Sequence, residues 1–194
     1  MHNYNKNLKL RNSSISEIFI KHPIALVGLM GVGKTTAGKQ LAKSLNRDFY
    51  DSDYEIEKAS GRTITGYFKD YGEKEFRKGE RRVIERLLDE DKIVLATGGG
   101  AYVQKETHEI LNRKALTIWL KGDLRTIMDR VSRNYDKRPL LQVNDPEAKI
   151  KGLIKTRHPI YSKAHITVTI DNDEQCSISS KIIHAIKKYQ SDNK

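Results

Sequence analysis

A glycine-rich segment near the start of the chain places the strongest constraint on its fold. Residues 28–35 read Gly-Leu-Met-Gly-Val-Gly-Lys-Thr, which fits the pattern G-x-x-x-x-G-K-S/T. The apolar run 24–27 before it predicts a buried strand, and apolar residues at helical spacing after it predict a helix that begins near Gly33. A strand, a tight turn and a helix N-terminus place several backbone N–H groups around one anion. The segment therefore predicts a phosphate site.

The same segment indicates how a nucleoside triphosphate would be held. Lys34 would reach the β- and γ-phosphates, and the Thr35 hydroxyl would bind Mg²⁺ directly. A glycine turn that matches the pattern by chance is the alternative, but strand, turn and helix signals all agree here. The predicted ATP-binding residues in this segment are Gly31, Val32, Gly33, Lys34, Thr35 and Thr36.

Composition narrows the class of protein. A chain of 194 residues with 37% hydrophobic residues can bury one core, so we expect one domain, over residues 22–194. Residues 1–21 are polar and basic, which predicts a loose tail. They lack the apolar segment of a signal peptide. No apolar run approaches the roughly 18 residues of a membrane helix. We therefore expect a cytoplasmic protein with no membrane partner.

The cysteine and histidine content and the distribution of charge argue against a metal site built from these residues and against a nucleic-acid-binding protein. Cys176 is the only cysteine, and the 6 histidines show no paired metal-ligand spacing. Lys and Arg number 36 against 25 acidic residues, giving a net charge of +11. The basic residues are interleaved with acidic ones, as in residues 74–82, and no nucleic-acid-binding module is present. We expect solvated charged faces and a phosphate-rich site, with no nucleic-acid partner.

Segments of strand and helix type alternate along the chain. Strands are predicted at 24–27, near Phe49 and Tyr50, at 92–96, 115–120 and 166–170, with helical patterns between them. This alternation predicts a three-layer α/β/α fold with a parallel, five-stranded sheet. Ligands bind at the carboxyl ends of such strands, so the loops that carry Gly28, Asp53 and Gly98 should converge on one crevice.

Five motifs, in order, resemble those of shikimate kinases, over roughly residues 24–190. They are the phosphate loop, Asp51-x-Asp53, Glu75-Phe76-Arg77, Gly98-Gly99-Gly100, and Arg138-Pro139 with Arg157-x-Pro159-x-Tyr161. The resemblance implies a P-loop kinase fold with a substrate-binding region at about 52–90 and a mobile lid at about 132–145. It implies transfer of the γ-phosphoryl group of ATP to the 3-hydroxyl of shikimate, in the pathway to chorismate and the aromatic amino acids.

The resemblance also assigns roles around the substrate. Arg77 and Arg157 would grip the carboxylate of shikimate, and a forked guanidinium suits that task. The backbone of Gly98, Gly99 and Gly100 would approach the substrate closely, which side chains would prevent.

Two acidic residues follow the second predicted strand. The resemblance implies that Asp53 holds the accepting hydroxyl and takes its proton, and that Asp51 orients Mg²⁺ through water. Acids two residues apart near a strand end share a face, so both are expected to point into the crevice. Helix capping before Tyr54 is the alternative for either one.

The resemblance makes Arg138 the lid arginine that closes over the phosphates, and therefore a catalytic residue beside Lys34 and Asp53. Arg130 and Arg133 are rival candidates for a second basic lid residue. The segment 171–177 lacks the arginine and proline that the family commonly has in its adenine loop, so adenine recognition stays open.

Other functions compete with this interpretation. A gluconate kinase would share Lys34 and Thr35 but is not expected to place Arg77 and Arg157 as a carboxylate clamp. A non-catalytic nucleotide-binding or nucleic-acid-binding protein would not need Lys34, Asp53 and Arg138 together. A regulatory GTPase is disfavoured because the chain has no Asn-Lys-x-Asp element. We expect a monomer that binds shikimate and ATP with Mg²⁺.

Overall fold

A computed structural model of the chain describes residues 20–132, 143–171 and 177–193. Most of the predicted tail, the central part of the predicted lid and Cys176 lie outside these ranges. The described elements are β1 (Ile24–Val27), α1 (Lys34–Leu45), β2 (Asp48–Asp51), α2 (Ser52–Ser60), α3 (Ile64–Leu87), β3 (Ile93–Ala96), a short 3₁₀ helix (Ala101–Val103), α4 (Lys105–Lys114), β4 (Leu116–Gly122), α5 (Leu124–Ser132), α6 (Pro146–Tyr161), β5 (Ile166–Ile170) and α7 (Ile178–Asp192).

The strands form a parallel sheet in the order β2-β3-β1-β4-β5. In the central strand β1, Leu26 lies opposite Ala96 of β3 and Ile118 of β4. Every residue of β1 and β3 is buried, because helices cover both faces of the sheet. The predicted five-stranded α/β/α architecture is confirmed.

Helices α1 and α7 show how the sheet is covered. Helix α1 buries Ala37 and Leu41, and α7 buries Ile182 and Ile186. All four side chains belong to the main hydrophobic core. Among the described helices, none has the length and apolarity required to cross a membrane.

Helix α2 begins earlier than the sequence pattern predicts. Asp51 ends β2 and caps α2, because its Oδ1 accepts a hydrogen bond of 3.1 Å from the Asp53 backbone N–H. Asp53 therefore lies in the first helical turn, and the expectation that both acids share a strand face is wrong. The capping alternative is correct for Asp51, since its carboxylate satisfies a backbone donor that would otherwise lack a partner.

Helix α3 is kinked at Gly72, whose φ of 77° and ψ of 170° are not helical. Only glycine adopts this conformation readily. The kink allows the first half of α3 to fold against the second, where the rings of Phe68 and Phe76 stack with centroids 4.4 Å apart. Arg77, the residue after Phe76, is held beside this aromatic contact.

Candidate active site

The phosphate loop joins the carboxyl end of β1 to the start of α1. Gly28 has a φ of 135°, and a Cβ at this position would lie 2.6 Å from the Leu120 carbonyl oxygen. Gly33 has a φ of 91° and precedes the first residue of α1. Both positions require glycine, because a larger residue would be strained at each and would collide with backbone at Gly28. The loop is thus fixed against β4.

Lys34 folds back across this loop. Its Nζ donates to the carbonyl oxygens of Gly28 at 2.8 Å and of Leu29 at 2.9 Å. Val32 is buried, whereas Thr35 and Thr36 are exposed in the first turn of α1. The ammonium group is therefore positioned by the backbone of the same loop that would surround a phosphate.

Thr35 and Asp51 meet at the edge of the phosphate loop. The Thr35 hydroxyl donates to Asp51 Oδ2 at 2.7 Å. A hydroxyl and a carboxylate are hard oxygen ligands of the kind that Mg²⁺ prefers alongside phosphate oxygens and water. No group of three or more His, Cys, Asp or Glu residues in the described ranges could hold a metal on its own. These two residues fit a Mg²⁺ ion that is bound partly by a nucleotide.

The three-glycine turn after β3 lies between the acidic residues and the phosphate loop. A Cβ on Gly98 would lie 2.6 Å from Asp53 Oδ1 and 2.9 Å from Glu80 Oε1. A Cβ on Gly99 would lie 3.3 Å from the Met30 backbone nitrogen in the phosphate loop. The turn is also tied to α2, because the Gly98 N–H donates to the buried Ser52 hydroxyl at 2.9 Å. The three loops therefore converge on one crevice, as predicted.

Arg77 projects from α3 onto this turn. Its Nη1 donates to Glu80 Oε2 at 2.8 Å, and its Nη2 donates to Glu73 Oε1 at 3.0 Å. A Cβ on Gly100 would lie 2.5 Å from Arg77 Nη2, so the guanidinium occupies the space that glycine leaves open. Burial lowers the pKa of Arg77, but Glu80 and Glu73 raise it by more, and the net direction is upward. The cation is thus held in a defined orientation.

Glu80 is an acidic residue in the interior of the site. Its side chain is 1% exposed, and Oε1 has no hydrogen-bond partner among the residues that the structure describes. Burial raises the pKa of Glu80, and Asp53 and Glu73 add to that rise, whereas Arg77 opposes it. A buried carboxylate of this kind depends on its arginine partner.

Arg157 reaches the same turn from α6. Its Nη1 donates to the Gly99 carbonyl oxygen at 3.1 Å. The hydroxyl of Tyr161, one turn further along α6, donates to the same oxygen. Burial raises the pKa of Tyr161 to about 12, although Arg157 acts to lower it. The two arginines of the predicted clamp therefore meet at adjacent glycines rather than facing bulk solvent.

Asp53 sits among charges of both signs. Burial of its carboxyl and the charge of Asp51 raise the pKa of Asp53, whereas Lys34 and Arg77 lower it. The residue as a whole is exposed to the crevice, but its carboxyl is crowded by the Gly98 turn. The pKa lies above its ordinary value, so protonation of Asp53 begins at a higher pH than for a free aspartate.

Of the predicted lid residues, Arg130 is described and contacts the phosphate loop. Its Nη1 donates to the Val32 carbonyl oxygen at 3.1 Å. Arg133 and Arg138 lie outside the described residues, as do residues 172–176 of the predicted adenine loop. Helix α7 starts close to the phosphate loop, since a Cβ on Gly33 would lie 3.3 Å from Ile178 Cδ1.

Sequence reasoning missed three polar residues of the site and assigned Tyr161 no role. Glu73 and Glu80 precede and follow Arg77 at helical spacings of four and three residues, a signal that would have found both. Ser52 has no comparable signal, because only the fold brings its hydroxyl to Gly98.

Comparisons with known proteins agree on one family. A family model described as shikimate kinase matches residues 30–187. The chain is 44% identical over 169 residues to a shikimate kinase of Bartonella quintana, covering 87% of this chain and 80% of that one. It superposes on the shikimate kinase from Acinetobacter baumannii in complex with shikimate with a TM-score of 0.80 and 37% identity, covering 93% of this chain and 98% of that one.

A gluconokinase from Sinorhizobium meliloti is a more distant structural neighbour. It superposes with a TM-score of 0.53 and 13% identity, covering 89% of this chain and 95% of that one. At this identity the likeness concerns the fold alone.

Proposed function

Because the chain belongs to the shikimate kinase family, we propose that it transfers the γ-phosphoryl group of ATP to the 3-hydroxyl of shikimate. The products are shikimate 3-phosphate and ADP. One observation supports this function above the others: Arg77 and Arg157 reach Gly100 and Gly99 from two different helices, beside Asp53 and the phosphate loop. Two guanidinium groups at one turn suit a carboxylate, and the adjacent loop suits a triphosphate.

In this proposal the phosphate loop holds the triphosphate through backbone N–H groups and Lys34. Thr35 would bind Mg²⁺ directly and Asp51 through water, and the ion would neutralise charge on the phosphates. The residue set for ATP is Gly31, Val32, Gly33, Lys34, Thr35 and Thr36, joined by Arg138 from the lid.

Asp53 would hold the 3-hydroxyl in line with the γ-phosphorus. The substrate oxygen forms the new P–O bond, the bond to the ADP oxygen breaks, and the hydroxyl proton passes to the Asp53 carboxylate. Positioning and charge neutralisation carry most of the catalysis in phosphoryl transfer. Arg77, Arg157 and the glycines 98–100 would fix the rest of the substrate.

Arg138 is assigned to closure over the transferring group, which excludes water as a competing acceptor. For the second basic residue near the nucleotide we favour Arg130, because its guanidinium already contacts the Val32 carbonyl. We further propose that the enzyme acts as a monomer, in the cytoplasm and without a nucleic-acid partner.

An assay of ADP release tests the function directly. With ATP and Mg²⁺, we expect turnover with shikimate, and none above background with gluconate or nucleoside monophosphates. Turnover with gluconate alone would favour the sugar-acid kinase alternative. Salt-dependent binding of DNA or RNA without ATP turnover would favour the nucleic-acid alternative.

A matched pair of variants tests the carboxylate clamp. Arg157→Ala should raise KM for shikimate by roughly 10- to 100-fold, the size of a lost charge-assisted hydrogen bond, with little effect on KM for ATP. Lys155→Ala removes a neighbouring exposed cation of α6 and serves as the control, with both KM values unchanged. Equal effects of the two variants would contradict the clamp.

A further inference from the structure

The Gly99 carbonyl oxygen receives two hydrogen bonds from α6. Arg157 Nη1 donates at 3.1 Å, and the Tyr161 hydroxyl donates to the same atom. A carbonyl oxygen has two lone pairs, and both are in use here. One of the two donors is the arginine that the proposed function assigns to the substrate carboxylate, so Arg157 would serve the substrate with its remaining N–H groups.

Tyr161 differs from Arg157 in its freedom to move. Its side chain is 0% exposed, and its ring packs against those of Tyr102 and Trp119, with centroids 6.2 Å and 6.1 Å away. Arg157 is only partly buried and has a long, flexible side chain. The hydroxyl is therefore a fixed donor, and with a pKa of about 12 it keeps its proton at neutral pH.

The orientation of this carbonyl determines the orientation of the next amide. The described chain contains no cis peptide bond, so the Gly99 C=O and the Gly100 N–H point in opposite directions. Within the described residues, the Gly100 N–H donates no hydrogen bond to the protein. A peptide between two glycines has little steric resistance to rotation, so its orientation depends on the hydrogen bonds that hold it.

We propose that Tyr161 is a positioning residue of the substrate site, which holds the Gly99–Gly100 peptide so that the Gly100 N–H stays available to the substrate while Arg157 binds the carboxylate. The inference rests on the proposed function and adds a residue to it. Tyr161 touches no reacting atom; it acts through the Gly99 carbonyl.

Tyr161→Phe tests this role because it removes only the hydroxyl and retains the buried ring. We expect Kd and KM for shikimate to rise roughly five- to tenfold, the size of one hydrogen bond. The Kd for ATP should not change, and kcat should stay within about twofold, since Asp53 and the phosphate loop are untouched. Calorimetric titration and steady-state kinetics measure these values.

Tyr102→Phe is the matched control. Tyr102 is also 0% exposed, and its hydroxyl donates to Asn112 Oδ1 at 2.8 Å, away from the Gly99 carbonyl. Like Tyr161→Phe, this variant removes a hydroxyl from a fully buried tyrosine. Its Kd for shikimate should equal that of the wild type. Equal weakening in both variants would overturn the proposal, because it would show general loosening of the interior.

The Gly100 amide signal in a ¹⁵N NMR spectrum of the free protein gives a readout that does not depend on turnover. Tyr161→Phe should shift or broaden this signal, and Tyr102→Phe should leave it in place. An unchanged signal together with an unchanged Kd for shikimate would overturn the proposal. A wild-type protein that failed to phosphorylate shikimate would contradict the proposed function instead, and the amide signal would still report on Tyr161.

Discussion

Asp53 carries a charge that its neighbours control. Burial and Asp51 favour the protonated carboxyl, whereas Lys34 and Arg77 favour the carboxylate. The first two effects are larger, so the pKa of Asp53 is raised above its ordinary value. A group that takes a proton from the substrate hydroxyl must be ionised beforehand, and its pKa therefore limits activity on the acidic side.

The first prediction concerns the pH profile of Asp53→Asn. In the wild type, kcat/KM should decrease as the pH falls through the raised pKa of Asp53. Asp53→Asn should lower kcat/KM at every pH and remove this acidic decrease. The control is Asp48→Asn, an exposed aspartate at the start of β2, which should retain the wild-type profile. If kcat/KM of Asp53→Asn still decreased at acidic pH, the titrating group would be a residue other than Asp53.

The same shift has a consequence for stability. The folded state binds the Asp53 proton more tightly than the unfolded state, so stability is lost as the pH rises from the unfolded pKa through the folded pKa. At neutral pH the ionised Asp53 carboxylate therefore lowers the free energy of unfolding. Asp53→Asn should raise the free energy of unfolding at pH 7, as measured by urea denaturation, and a lower value would mean that the carboxylate stabilises the protein.

Helix α3 combines a stability role and a binding role in one ion pair. Arg77 is the hydrogen-bond partner of Glu80, whose side chain is 1% exposed. Removing one member of a buried pair costs about 3–5 kcal/mol, whereas replacing both with apolar residues of similar size is often neutral. The two roles can therefore be separated by substitution.

The second prediction compares Arg77→Met with the double variant Arg77→Met/Glu80→Met. The single variant should lose about 3 kcal/mol or more in urea denaturation, because Glu80 is left buried without its partner. The double variant should recover most of that loss. Neither should bind shikimate well, since both lack the guanidinium. Recovery of shikimate binding in the double variant would remove Arg77 from the substrate site.

The turn after β3 packs so tightly that a methyl group does not fit at Gly98. The third prediction is that Gly98→Ala lowers kcat, because its Cβ would lie 2.6 Å from Asp53 Oδ1 and would displace that carboxylate. Gly152→Ala in α6 is the control, because among the described residues nothing beyond its chain neighbours and the adjacent backbone of α6 lies within 4 Å of the new Cβ. The control should keep wild-type kcat and gain about 0.5–1 kcal/mol of stability. Equal kcat in both variants would contradict the steric argument.

Local patterns in the sequence predicted most of these elements, because burial imposes a period on each strand and helix. Ile166, Val168 and Ile170 alternate and are buried in β5, the strand predicted at 166–170, and Asp145 caps α6 ahead of Pro146, a pairing typical of a helix start. The start of α2 was not predicted, because an aspartate that ends a strand and one that begins a helix look alike in sequence. The burial of Glu80 was also not predicted, since charged residues on helices are usually exposed.

At the scale of the whole molecule, the site depends on strand order, and strand order is not a local property. Strands β1 and β3 are neighbours although a whole strand and three helices separate them in sequence. That pairing brings the loop at Gly28 to the turn at Gly99, where a Cβ on Gly99 would lie 3.7 Å from the Gly28 carbonyl oxygen. The rule that ligands bind at the carboxyl ends of parallel strands predicted this convergence; periodicity alone predicts the strands but not their neighbours.

The fourth prediction concerns the two adjacent parts of this crevice, the phosphate loop and the turn after β3. A ligand that binds only the folded state stabilises it by about 2.7 kcal/mol at 100 times its Kd. In the wild type, ATP with Mg²⁺ and shikimate should therefore each raise the melting temperature, and a chelator should reduce the shift caused by ATP. Lys34→Ala should lose most of the ATP shift and retain the shikimate shift, because Arg77 and Arg157 bind the turn after β3 rather than the phosphate loop. Differential scanning fluorimetry measures both shifts, and loss of both in Lys34→Ala would mean that the variant disrupts the crevice as a whole.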